Sequence, residues 1–248
     1  MTVRVLVWNV QWQRAGTARG AAVRAVIADH APDLVCLTEA TADLLPPDRC
    51  ITSAADFGGP TRPGRRKVLL WSARPWEAVD DVGDPQLPPG RFVRGRTATP
   101  AGPVDVIGVC IPWDGAHVRL GRHDARPWEE HQRFLDGLQP LLDRAPAEAA
   151  RTLLLGDFNQ TLPRTRAPRA VHEKLMATLG PRLTVATAGP VAGQDHLSID
   201  HLAHGAALRA VGVELIPNRF GADGRISDHA GLVITLAAAE ASALPSGL

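Results

Sequence analysis

Cysteine is scarce in this 248-residue chain: there are three, Cys36, Cys50 and Cys110, an odd number at long spacings. With no Cys-x-x-Cys and no Cys/His cluster of zinc type, the pattern excludes a disulfide framework and a structural zinc site, and reduced, mostly buried thiols are expected. Net charge is nearly absent as well. Lys and Arg total 27 against 26 Asp and Glu, so the formal charge of +1 excludes a strongly basic nucleic-acid coat and an acidic disordered tail. Long apolar runs are also missing, since no window approaches the roughly 18 uncharged residues of a spanning helix. The opening MTVRVLVWNV has an apolar stretch too short for a secretory leader. A soluble, cytoplasmic protein with no integral membrane segment is expected.

What is present suits a globular fold. Hydrophobic residues make up 45%, and 23 Gly and 21 Pro are scattered rather than massed, as in a domain with many turns. One domain is expected over residues 1–236, followed by an Ala-rich, frayed tail at 237–248. Short runs of Val, Leu and Ile predict strands at Val3–Trp8, Leu34–Leu37, Val68–Trp71, Val104–Ile111, Leu153–Leu155, Ile199–Ala203, Val211–Ile216 and Leu232–Leu236. Helices are predicted at Ala18–His30, at Pro127–Asp143 with Trp128, His131, Leu135, Leu138 and Leu142 on one stripe, and at Pro168–Leu179 with Gly180 as C-cap. Pro140 should kink or end the second. Leu44–Arg66, Asp80–Pro89 and Thr161–Arg169 read as surface loops. The mixture predicts layered α/β, with sheets inside and helices outside.

Asn9, Glu39 and Asp157 with Asn159 each follow a predicted strand, and in layered α/β folds strand ends converge on one crevice. Alone, Gly156-Asp157-Phe158-Asn159 reads as turn chemistry. The reading changes once Ser198-Ile199-Asp200-His201 and Ser227-Asp228-His229 are added. In order, Trp8-Asn9, Glu39, Gly156-Asp157-Phe158-Asn159, Ile199-Asp200-His201 and Ser227-Asp228-His229 resemble the endonuclease/exonuclease/phosphatase superfamily, across nearly the whole chain. The resemblance implies a four-layer α/β sandwich with two central mixed β-sheets flanked by helices, and hydrolysis of phosphate esters with Mg²⁺, or alternatively Mn²⁺. It assigns Asn9, Glu39 and Asp228 to the metal, and Asp157, Asn159, Asp200 and His229 to catalysis.

The residue types suit that chemistry. Mg²⁺ takes few carboxylates, neutral oxygens and several waters, which makes Glu39 the best ligand candidate, with Asn9 and Asp228 beside it. Asp157 is the candidate base, and Asn159 can donate to the phosphate or orient the water. The resemblance further implies that His229 contacts the phosphate and that Asp200 hydrogen-bonds it, which raises the pKa of His229 and favours the imidazolium. His201 should face away from Asp200 by strand alternation and serve the structure, while His117, His123, His196 and His204 are placed in or beside loops.

One departure from the family stands at Val109-Cys110-Ile111-Pro112-Trp113. Cys110 occupies the place of a His or Tyr phosphate donor and Trp113 that of an Asn, and a thiol is a poor donor. His117 or Arg119 could fill in, or Trp113 could reshape the pocket. For substrate, nucleic acid is favoured, with basic surface drawn from Arg62, Arg65, Arg66 and Lys67, from Arg164, Arg166 and Arg169, and from Arg119, Arg122 and Arg126. A small or lipid phosphate ester, or a catalytically weak member that binds a phosphate-bearing partner, are the rivals.

Overall fold

The computed structural model describes residues 1–58, 62–118, 124–143, 149–222 and 224–239. Among these residues, twelve strands alternate with three α-helices: β1 (Thr2–Asn9), α1 (Ala18–His30), β2 (Leu34–Thr41), β3 (Cys50–Thr52), β4 (Arg65–Ser72), β5 (Trp76–Asp80), β6 (Phe92–Thr97), β7 (Val104–Cys110), α2 (Glu129–Asp143), β8 (Thr152–Asp157), α3 (Arg169–Leu179), β9 (Leu183–Val185), β10 (Asp200–Gly205), β11 (Leu208–Ile216) and β12 (Gly231–Ala238). They build two six-stranded sheets, ordered β11-β12-β1-β2-β4-β3 and β5-β6-β7-β8-β10-β9. Only β1 with β2 and β7 with β8 run parallel, so both sheets are mixed.

The sheets pack face to face because their strands are apolar on both sides. Val5, Val7, Cys36, Leu70, Val106, Leu155 and Ile234 fill the space between them. Leu6, Trp8, Leu37 and Leu69 point outward beneath Val23 and Ile27 of α1. On the far side, Phe134 and Leu138 of α2 and Leu175 and Leu179 of α3 cover Ile107, Val109 and Leu154. At roughly 1.5–3 kcal/mol per fully buried side chain, these three layers are the dominant stabilising term. The result is the expected four-layer sandwich.

All eight predicted runs are strands, and four strands went unforeseen. β3 and β9 have three residues each, too few for a periodic signal. β5 is a mostly exposed edge. In β6, Arg94 and Arg96 pair with Asp80 and Asp105 at 3.1 and 2.9 Å, replacing apolar alternation by cross-strand charge. The predicted loop Leu44–Arg66 therefore contains β3, and Arg65, Arg66 and Lys67 belong to β4. His204, placed beside a loop, is buried within β10. The expected tail begins too early as well: β12 continues to Ala238, with Ala237 opposite Thr2, while 240–248 lie outside the described residues. Arg119, Arg122 and His123 also lie outside them.

Helix α1 has its predicted bounds, capped by Thr17, whose Oγ1 accepts from the Gly20 N–H at 3.0 Å. Helix α2 starts at Glu129 rather than Pro127 because Trp128 adopts φ +68°, and Pro140 lies inside it without ending it. Gly180 caps α3 at φ +56°. Buried His131 ties α2 to the site end of the sheets: its Nδ1–H donates to the Pro112 carbonyl at 2.8 Å, and Nε2 accepts from Gln160 at 2.8 Å. Burial pushes this imidazole down to about 4, so it is neutral. Cys36 and Cys110 are buried and Cys50 is partly exposed, all three as free thiols.

Candidate active site

The strand ends that carry β1, β7 and β8 forward meet the start of β10. Asp157, at the end of β8, stands in register with Cys110 of β7 and with Asp200 of β10. Gly156 allows this close approach: it takes φ +132°, and a Cβ there would lie 2.0 Å from the Val109 carbonyl. Asp157 is 3% exposed, and both its oxygens accept hydrogen bonds, Oδ2 from Asn9 Nδ2 at 3.1 Å and Oδ1 from the Asn159 N–H at 2.9 Å. The first of these bonds joins the two sheets. Burial, followed by the charge of Asp200, pushes Asp157 up to about 7, against the opposing pull of His229, Asn159 and Asn9.

Asp200 and His229 pair as expected, with Nδ1–H donating to Oδ2 at 2.5 Å. Burial disfavours the charged imidazole, but the Asp200 charge and hydrogen bond, with Asp157 and Asp228 behind them, outweigh it and raise His229 to about 10. It is therefore an imidazolium. The other Asp200 oxygen, Oδ1, is buried without a partner. The loop holding His229 is fixed from three sides: Ser227 Oγ donates to the Asn9 carbonyl at 2.6 Å, Trp8 Nε1 donates to the His229 carbonyl at 2.9 Å, and Asn218 bonds the backbone of Ile226 and Ser227. His201 faces away from Asp200, between Thr187 and the Gln160 carbonyl.

Glu39 lies beside Asn9 on the neighbouring strand, where Thr38 is in register with Asn9. Its backbone takes φ +50°, and that of Asn159 φ +53°. Non-glycine residues in this region cost of order 1–3 kcal/mol each and persist where the surroundings over-determine them. The Glu39 carboxylate pairs with Lys67 Nζ at 2.6 Å, and the Lys67 side chain is only 12% exposed. Asp228 is 62% exposed, with Oδ1 4.0 Å from His229 Nε2. The amide of Asn159 donates to the Ile111 carbonyl at 2.8 Å, so one of its two N–H bonds is already used.

Among the described residues, Asp157, Asp200 and His229 offer ligand atoms within 4.8 Å of one another. The orphaned Asp200 Oδ1 suits a cation or a proton, whereas His229 at about 10 keeps its proton and repels a metal. Asn9 touches this trio through Asp157, Asp228 borders it through His229, and Glu39 stands across the Asn9 strand with Lys67. Glu39 and Asn9 supply the hard oxygen donors that a Mg²⁺ or Mn²⁺ ion takes, and such an ion would have to share the Glu39 carboxylate with, or displace, Lys67 Nζ.

Sequence reasoning missed Asn218, and it named Trp8 in the first motif and Lys67 in a basic run without foreseeing that they hold the His229 loop and Glu39. Lys67 stands in an Arg-rich run and read as surface, and Asn218 precedes Ser227 by nine positions with no motif between. Trp12, in the turn after Asn9, stacks on Phe57 with centroids 5.6 Å apart, and Arg65 lies over its ring at 4.4 Å. Burial and then the charges of Arg62 and Arg14 lower the Arg65 pKa, which marks a concentration of positive charge beside Glu39. Arg164, Arg166 and Arg169 are exposed, and Trp113 is 55% exposed at the end of the turn after β7.

No curated protein matches the sequence. Solved structures do. A 3'-5' exonuclease, NExo, from Neisseria meningitidis has a TM-score of 0.67 at 19% identity, with 93% of this chain and 98% of that one covered. Sphingomyelinase C from Streptomyces griseocarneus has a TM-score of 0.63 at 14% identity, covering 95% and 99%. An endonuclease/exonuclease/phosphatase protein from Beutenbergia cavernae has a TM-score of 0.63 at 18% identity, covering 96% and 72%. At such identities the likeness concerns the fold. The family model fits residues 6–229, a span that runs from β1 to the Asp200–His229 pair, and the chain belongs to the Endonuclease/Exonuclease/phosphatase family.

Proposed function

We propose that the protein is a divalent-metal-dependent phosphodiesterase acting on nucleic acid. The observation that carries this reading is one buried pair, a carboxyl at about 7 beside an imidazolium held by Asp200, with the exposed Arg14 and Arg62 gathered around Arg65 on the Glu39 side. Asp157 takes the proton of the attacking water as its oxygen bonds to phosphorus and the bond from phosphorus to the leaving oxygen breaks, the leaving oxygen taking a proton from solvent. His229, held by Asp200, donates to a non-bridging oxygen, and the free N–H of Asn159 offers a second donor. Glu39, with Asn9 and Asp228, is the set that would hold Mg²⁺ or Mn²⁺, and such an ion neutralises phosphoryl charge.

Two measurements test the reading. By calorimetry, Glu39→Gln should weaken Mg²⁺ binding by at least about tenfold, because even partners one step removed from a metal are worth about 10–100-fold. Undiminished affinity would remove Glu39 from the site. Against DNA and RNA oligonucleotides, binding should weaken steeply with salt, and neutralising Arg164, Arg166 and Arg169 together should reduce the log–log slope by about 2–3. A negligible slope in the parent protein would move the substrate to a small or lipid phosphate ester.

A further inference from the structure

The row that carries Asp157 extends one strand beyond Cys110. Phe92 opens β6 opposite Val109, and the Cys110 N–H donates to the Arg91 carbonyl at 3.0 Å, which sets Arg91 beside Cys110. Phe92 packs outward under the helices and Val93 packs between the sheets, so by alternation Arg91 turns inward. Arg91, Cys110, Asp157 and Asp200 therefore form one row across four adjacent strand positions, on the face that meets Asn9. The turn leading into the row is braced by Gly90, which takes φ +68° where a Cβ would strike the Asp56 carbonyl at 2.0 Å.

Arg91 is 6% exposed, and among the described residues no carboxylate pairs with it. Its Nη1 donates to the Cys110 carbonyl at 3.2 Å and lies 3.9 Å from Cys110 Sγ, while its Nε is buried with no partner. By contrast, Arg94 and Arg96, the next arginines along the strand, each carry a carboxylate partner. A guanidinium is permanently charged, and a buried charge without a counter-ion is strongly unfavourable unless an anion completes it. Resting on the phosphoester reading above, we propose that Arg91 contacts the phosphoryl oxygens of the substrate, supplying from β6 the donor that the thiol at position 110 lacks. The planar fork suits this task, since it can present two N–H groups to one tetrahedral anion. A histidine placed at position 110 would meet this guanidinium directly.

The test uses inorganic phosphate as the probe and reads thermal stability, so it needs no turnover and is separate from the hydrolysis and metal-binding tests. Phosphate should raise the Tm of the parent. Arg91→Met keeps the apolar stem and deletes the charge; its Tm without phosphate should equal or exceed that of the parent, and its phosphate affinity should fall about 10–100-fold. Arg91→Lys, which keeps charge but not the fork, guards against a variant that fails to fold, and should bind phosphate several-fold more weakly than the parent. Parent-like phosphate affinity in either variant, or a parent with no phosphate response, would overturn the proposal.

Discussion

Asp157→Asn is expected to lower turnover on a phosphodiester by about 10²–10⁴ while leaving substrate affinity nearly unchanged. The amide matches the carboxyl in size but keeps a single acceptor oxygen: turned toward Asn9 Nδ2 it preserves the bond between the sheets and gives up the one from the Asn159 N–H. What it loses is a place for the proton. Single-turnover rates and a binding titration on the same oligonucleotide separate the two effects. A variant that keeps its turnover would show that another group accepts the proton, and equal losses in rate and affinity would instead mark Asp157 as a scaffold for Asn9.

His229→Ala should be of similar severity, because it removes the imidazolium and leaves the Asp200 carboxylate buried with neither oxygen paired. Asp200→Asn should be milder, since it preserves an acceptor for Nδ1–H but withdraws the charge that keeps His229 protonated. The double variant should then cost far less than the product of the two single losses, as for residues that act as one unit. Rates for all four proteins complete the cycle. Multiplicative losses would mean that the 2.5 Å contact is a neighbourly hydrogen bond and not a functional coupling.

The layered fold was legible because the strands that form its centre are buried on both faces and spell themselves as apolar runs. The strands that escaped notice lie at or next to sheet edges, where charge pairs such as Arg96 with Asp105 replace apolar contacts. The candidate site was legible for a different reason. Its acids and amides stand immediately after those runs, and five short motifs in order carried the family resemblance. Nothing in the sequence announced that Lys67 neutralises Glu39, that Asn218 pins Ser227, or that Arg91 enters the row of Asp157. These residues act through spatial neighbours 28, 9 and 19 positions away, with no local pattern to expose them. Of the two positions where the chain departs from the family, Cys110 and Trp113, the first lies beside Arg91.

The bond from Asn9 to Asp157 has a consequence for how the molecule comes apart. Asn9 belongs to one sheet and Asp157 to the other, and Ser227 and Trp8 fasten the His229 loop to the first sheet while His229 itself grips Asp200 on the second. The site is thus a clasp across the sandwich, so that sliding or parting the sheets by even an ångström dismantles it. Partial opening and loss of the site are one event. Any anion or cation held there is linked to the stability of the whole fold, so its binding raises the free-energy cost of parting the sheets.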